Sequence, residues 1–81
     1  MNQIELAERL RRDIAETLGY SDFDITEDLT GVGLDSIRLM VLIERWRADG
    51  VEISFLDALA APTALGLANA AIQNGTDETR P

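Results

Sequence analysis

The stretch Gly33-Leu34-Asp35-Ser36-Ile37-Arg38-Leu39-Met40 decides the reading of this chain. A glycine-bearing loop runs into Asp35-Ser36 and then into a helical pattern that lasts to about Arg47 and stops near Asp49-Gly50. Either Asp35 or Ser36 can cap that helix, because a short side-chain oxygen at this point accepts from the unpaired N–H groups of the first turn. At about 100° per residue, Leu39, Leu42, Ile43 and Trp46 fall within one arc of about 100°, a full core-facing stripe. Ile37, Met40 and Val41 are left over on another flank, beside Ser36 and interleaved with Glu44. Two readings follow. The helix is buried nearly all round, or Ile37, Met40 and Val41 form an exposed patch for docking partners. Methionine suits a surface that repacks, and Arg38 and Arg45 between the two stripes favour a helix that meets water.

Outward from this helix, every element reads as helical. Ile4, Ala7, Leu10, Ile14 and Leu18 recur at three- and four-residue steps, which predicts a first helix over about Ile4 to Leu18 with Gly19 as its stop. Residues 19–34 form a long connection whose Tyr20, Phe23, Ile25, Leu29, Val32 and Leu34 are expected to pin it across the helices; a loop of this length in a small domain is often functional. Asp22, Asp24, Thr26 and Asp28 alternate like a calcium loop, but Glu27 stands where the turn needs glycine and Gly33 where a bidentate glutamate belongs. Val51 to Ile53 reads as an extended crossing. Ser54 and Asp57 fit a capping box opening a short third helix over about Phe55 to Leu59, and Pro62-Thr63 breaks the chain and caps a last helix over about Ala64 to Ile72. The expected fold is therefore all-α, a small antiparallel bundle of three main helices plus one short helix. Residues 1–73 form the domain, and Asn74 to Pro81, polar and aperiodic, form a disordered tail.

Composition removes several functions. The 81 residues make one domain that buries about 60–65% of its unfolded surface, too little for a deep enclosed active site. There is no cysteine, no histidine and no lysine, so thiolate chemistry, the usual general base and the common zinc ligands are missing, and no metal site is expected. A net charge of -8 disfavours nucleic acid and predicts partners with basic patches. No signal-peptide order and no apolar run of about 18 residues is present, so a cytoplasmic, non-membrane protein is the expectation, with a monomer as the default.

Ser36 has no internal base to make it a catalytic nucleophile. It does sit where backbone N–H groups and the helix dipole favour an attached phosphate. Gly31 and Gly33 would let a modifying enzyme come close to the backbone, and Asp35 could help hold a metal ion during transfer of a phosphate-containing group.

These residues resemble a known family. Gly33-Leu34-Asp35-Ser36 is similar to the phosphopantetheine attachment signature of acyl and peptidyl carrier proteins. The wider run through Ile37-Arg38-Leu39-Met40 and Trp46-Arg47 is closer to aryl carrier proteins of nonribosomal peptide and siderophore pathways. The likeness continues through Val51-Glu52-Ile53-Ser54-Phe55 and Pro62-Thr63, about residues 4–72 in all. The resemblance implies a carrier without catalysis of its own, made active when a phosphopantetheinyl transferase, with magnesium and coenzyme A, places 4′-phosphopantetheine on Ser36. The arm supplies the missing sulfur and holds an aryl acid such as salicylate or 2,3-dihydroxybenzoate as a thioester. An aryl-acid adenylating enzyme would load it, and a condensation or cyclisation domain would unload it. Partners would dock on Ile37, Met40 and Val41 of the second helix and on Phe55 and Leu59 of the third, with Phe55 equally readable as a core aromatic. Rival readings are a peptidyl or acyl carrier with another cargo, and an acidic helical adaptor without any prosthetic group. Thr30-Gly31-Val32 departs from the bulkier residues common before the attachment loop and predicts a looser loop.

Overall fold

The computed structural model of the chain describes residues 2–74, and all regular structure in them is helical. Helix α1 spans Gln3–Leu18, α2 Ser36–Ala48, α3 Phe55–Ala60 and α4 Ala64–Gln73. A 3₁₀ turn, Leu29–Val32, lies in the long connection between α1 and α2. The expectation for the tail from residue 75 onward falls outside the described residues; Asn74 is the C-cap of α4.

Each helix begins on a side-chain cap that the chain supplies locally. Asn2 caps α1 in a reciprocal box with Glu5, the two bonds measuring 2.8 and 3.2 Å. Gly19, at φ 69°, closes α1 in the left-handed conformation that glycine adopts without a Cβ penalty. Ser54 accepts from the N–H of Asp57 at 3.0 Å, but no return bond from the Asp57 side chain exists among the described residues. The expected capping box is thus half of one, because aspartate is a methylene shorter than the glutamate that closes such a box. Thr63 caps α4 through the N–H of Gly66 at 2.9 Å. A Cβ on Gly66 would stand 2.7 Å from both the Cβ and the carbonyl oxygen of Ala61, so glycine lets the α3–α4 turn fold this tightly.

The core joins all four helices. Leu6, Leu10 and Ile14 of α1 meet Leu39, Leu42, Ile43 and Trp46 of α2, Val51 and Ile53 of the extended crossing, Ala58 of α3 and Leu67 of α4. The first-helix stripe needs one correction. Ile4 is 54% exposed, and Leu6 takes its place in the core. Both residues fit a helical period with Ala7, Leu10 and Ile14, and packing against α4 selects the face. That contact is the most extensive between helices, and the fully buried Ala7, Ala68 and Ala71 suit a close approach.

The long connection is ordered by its own residues. Phe23, Leu29 and Leu34 are buried, and Ile25 and Val32 pack against the core from its edge. Its backbone is stitched to the start of α4: the Leu29 N–H donates to the Pro62 carbonyl, and the Leu65 N–H to the Ile25 carbonyl, each at 2.8 Å. Arg11 lies over the Phe23 ring, 5.9 Å from its centroid, and Tyr20 stacks on that ring from the loop. Thr30-Gly31-Val32, where the sequence departs from bulkier residues, has a defined local geometry. These residues complete the 3₁₀ turn, with Thr30 bonded to Asp28 and Val32 against the core.

Asp24 and Asp28 each accept from the hydroxyl of the threonine two residues on, at 2.7 Å, and from its backbone N–H, at 2.9 Å. The hydroxyl bond first and the backbone bond second hold both carboxyls below their ordinary value of 3.8. A carboxyl whose folded-state value is depressed contributes stability that is complete above its unfolded value and is lost as pH falls through the folded one. Acidification from about pH 5 to about pH 2 should therefore lower the urea midpoint more steeply in the wild type than in Asp28→Asn, whose amide does not titrate. Equal slopes for the two proteins would contradict the contribution of Asp28.

Candidate functional site

The Ser36 turn is assembled from the loop side. The 3₁₀ turn ends on Gly33 at φ 103°, a left-handed conformation that an L side chain strains, and the Gly33 N–H reaches the carbonyl of Thr30 at 3.4 Å. Leu34 then turns into the core, with its N–H on the Leu29 carbonyl at 3.0 Å. Asp35 is extended and is the N-cap of α2, its Oδ1 accepting from the Arg38 N–H at 2.8 Å. Of the two possible caps, the structure uses Asp35. Ser36 is thereby the first residue inside the helix. It is exposed, and its hydroxyl has no hydrogen-bond partner among the described residues.

Beside Ser36 lies a groove of about 400 Å³ lined by Thr30, Leu34, Asp35, Ser36, Leu39, Leu59 and Pro62. One wall is the Ser36 turn and the start of α2; the other is the end of α3 and Pro62. Asp35 is its one charged lining residue. Arg38 folds back toward the loop, its Nη1 3.4 Å from the Gly33 carbonyl and 3.5 Å from Asp35 Oδ2.

The α2 helix divides into two faces. Leu39, Leu42, Ile43 and Trp46 are buried, whereas Ile37, Met40 and Val41 are 74%, 55% and 54% exposed. On α3, Leu59 is exposed and borders the groove, while Phe55 is half-buried and packs against the core. Sequence reasoning missed Leu56, which is 77% exposed. Counting from Ala58, the buried residue of α3, Leu56 lies about 160° round the helix, nearly opposite the core. That count was available once Ala58 was taken as the inward residue.

An exposed, unpaired primary hydroxyl next to a mainly apolar groove fits a slender covalent arm. Leu34, Leu39, Leu59 and Pro62 would line its path from Ser36. Residues 8–71 match the family described as phosphopantetheine attachment site. The chain belongs to that family. It is a carrier domain, non-catalytic in itself, whose cofactor is covalently attached 4′-phosphopantetheine.

Relatives share this region. The domain is 47% identical over 58 residues to isochorismatase of Bacillus subtilis, covering 69% of this chain and 19% of that protein. It is 41% identical over 59 residues to phenyloxazoline synthase MbtB of Mycobacterium tuberculosis, covering 70% of this chain and 4% of that one. Acyl carrier protein ScoB of Streptomyces coeruleorubidus is 43% identical over 49 residues, 58% of each chain. The carrier domain thus spans a fifth or less of the first two relatives' lengths. No solved structure is significantly similar to it. No helix among the described residues is long and apolar enough to cross a membrane.

The division of labour at the turn has a measurable consequence. Asp35→Ala removes the cap and should lower unfolding free energy by about 1 kcal/mol. Ser36→Ala, at an exposed site with no bond to lose, should stay within about 0.5 kcal/mol of wild type. Urea unfolding of the two variants compares them directly, and a Ser36→Ala loss as large as that of Asp35→Ala would show that the serine shares the capping.

Proposed function

We propose that this is an aryl carrier domain in which Ser36 bears the 4′-phosphopantetheine arm. The observation that carries the reading is the free, exposed Ser36 hydroxyl at the first position of α2, beside the groove. The chain has no histidine, lysine or cysteine to activate that hydroxyl, so its modification belongs to a phosphopantetheinyl transferase. The bound arm supplies a thiol on which an acyl group is held as a thioester. Asp35 sets the turn with one carboxylate oxygen and pairs loosely with Arg38 through the other; its carboxylate would help hold the magnesium ion used by the transferase. Aryl cargo, such as salicylate or 2,3-dihydroxybenzoate, is supported by the Leu34-Asp35-Ser36-Ile37-Arg38-Leu39-Met40 run and by likeness to a synthase named for a phenyloxazoline. The domain then receives its acid from an adenylating enzyme and yields it to a condensation or cyclisation domain, working as a monomer in the cytoplasm. Likeness to an acyl carrier protein supports a second reading with an acyl cargo.

Incubation with coenzyme A, magnesium and a broad-specificity transferase should add the mass of one arm to the peptide holding Ser36, and nothing to Ser36→Ala. An unchanged wild-type mass would refute the assignment and leave an acidic helical adaptor. The modified protein, offered to aryl-acid, amino-acid and fatty-acid loading enzymes in parallel, should accept the aryl acids; loading by the other enzymes alone would replace the cargo.

The exposed flank of Ile37, Met40 and Val41, with Leu59 and the accessible edge of Phe55, is the docking surface in this reading. Met40→Asp and Leu59→Asp should leave the thermal midpoint nearly unchanged and slow loading at limiting carrier about 10-fold, a loss of about 1.4 kcal/mol in productive encounter. Ile4→Asp, at an equally exposed residue of α1, should load like wild type. Equal loading by all three variants would remove the flank from partner contact.

A further inference from the structure

We propose that Arg38 is a positioning residue for the prosthetic group, its guanidinium taking up the negative charge of the phosphodiester on Ser36. The inference rests on the reading of Ser36 as the attachment residue. Attachment places a new negative charge one residue from Asp35, in a chain already at -8. The groove it enters has Asp35 as its one charged lining residue. Both charges are then well within the screening distance of about 8–10 Å, so their repulsion is felt unless a cation answers it.

Arg38 is the cation held at that turn. Residues two apart on a helix do not face each other, so an Arg38 standing straight out from α2 could not serve Ser36. It does not stand straight out. Long helical side chains lean toward the N-terminus, and Nη1 lies 3.4 Å from the carbonyl of Gly33 and 3.5 Å from Asp35 Oδ2, over the end of the helix from which Ser36 projects. Both contacts are long for a charged donor, which settles at about 2.7–2.9 Å when it has its partner. Oδ1 of the same carboxylate is already engaged by the Arg38 N–H. The guanidinium carries five N–H donors, and Nη1 is the one nitrogen engaged among the described residues. It is tethered at the site and short of partners. The other arginines of α2 stand farther along the helix, Arg45 and Arg47 lying about 13 and 16 Å of helix rise beyond Ser36, near Glu16 and Glu44.

The test compares the unmodified and modified forms of wild type, Arg38→Gln and Arg38→Lys, with the mass of each product read first. The Arg38 Nε–Hε NMR signal of the wild type should shift on modification. Modification should leave the wild-type thermal midpoint nearly unchanged and lower that of Arg38→Gln by about 4 °C at low salt. The difference should shrink at about 1 M salt, and Arg38→Lys should restore most of it. A midpoint change on modification that is the same in Arg38→Gln as in wild type overturns the role of Arg38 while leaving the carrier reading intact. Absence of the arm from wild-type Ser36 overturns the attachment reading, and this inference with it.

Discussion

The indole N–H of Trp46 donates to Asp13 Oδ2 at 2.8 Å, from a ring that is almost wholly buried, and this bond sets the rotation of α2. A buried donor left unpaired costs about 1–3 kcal/mol. Trp46 must therefore face α1 at the level of Asp13, and the rest of the helix has no freedom to turn. Advancing α2 by one residue would swing every side chain by about 100° and carry its apolar stripe off the core. With the rotation fixed, Leu39, Leu42 and Ile43 go in and Ser36, Ile37, Met40 and Val41 go out. The ion pairs Arg9–Asp49 at 3.2 Å, to the C-cap of α2, and Arg45–Glu16 at 3.9 Å also tie α1 to this helix, but both are open to solvent and add little.

Rotation alone does not make a site; the Ser36 turn must also be placed against α3. That is the task of the long connection. Its two 2.8 Å backbone bonds to Pro62 and Leu65 join it to the α3–α4 junction, and buried Leu29 and Leu34 hold it from beneath. Gly33 then reverses the chain in a conformation closed to most side chains, so that Asp35 arrives extended and ready to cap. The groove exists because the same few residues hold the start of α2 and the end of α3 at a fixed separation. A looser loop would leave the hydroxyl exposed but the groove without a second wall.

These two steps differ in how far the sequence reveals them. The inner stripe of α2 was legible because a 3.6-residue period names four residues without reference to anything else. The caps at Ser54 and Thr63 were legible because they are local chemistry. Ile4 was misplaced because two overlapping periods share Ala7, Leu10 and Ile14, and the choice between Ile4 and Leu6 depends on α4, which lies far along the chain. The 3₁₀ turn was missed because its stabilising contacts are the Asp28–Thr30 bonds and the distant Pro62 carbonyl, neither of which has a periodic signature. The groove was invisible for the same reason: Leu59 and Pro62 join Ser36 through packing alone. Ser36 itself stood out by motif, whereas its freedom from capping duty depends on which of two adjacent oxygens reaches the Arg38 N–H.

Charge makes the contrast between chain and surface sharper. A value of -8 describes how the whole molecule steers a distant partner. It does not describe the face of α2. There Arg38, Arg45 and Arg47 stand with Glu44 as the helix's one acid, and each arginine lies within 4.0 Å of a carboxylate oxygen of its own chain. At contact range the exposed Ile37, Met40 and Val41 are ringed by charges that nearly cancel. In the proposed reading, long-range attraction draws the carrier toward a basic enzyme while close contact is made by apolar side chains. An interface of that kind leaves few buried charges to desolvate when it forms, and none to hold the carrier back when it must move on to the next enzyme.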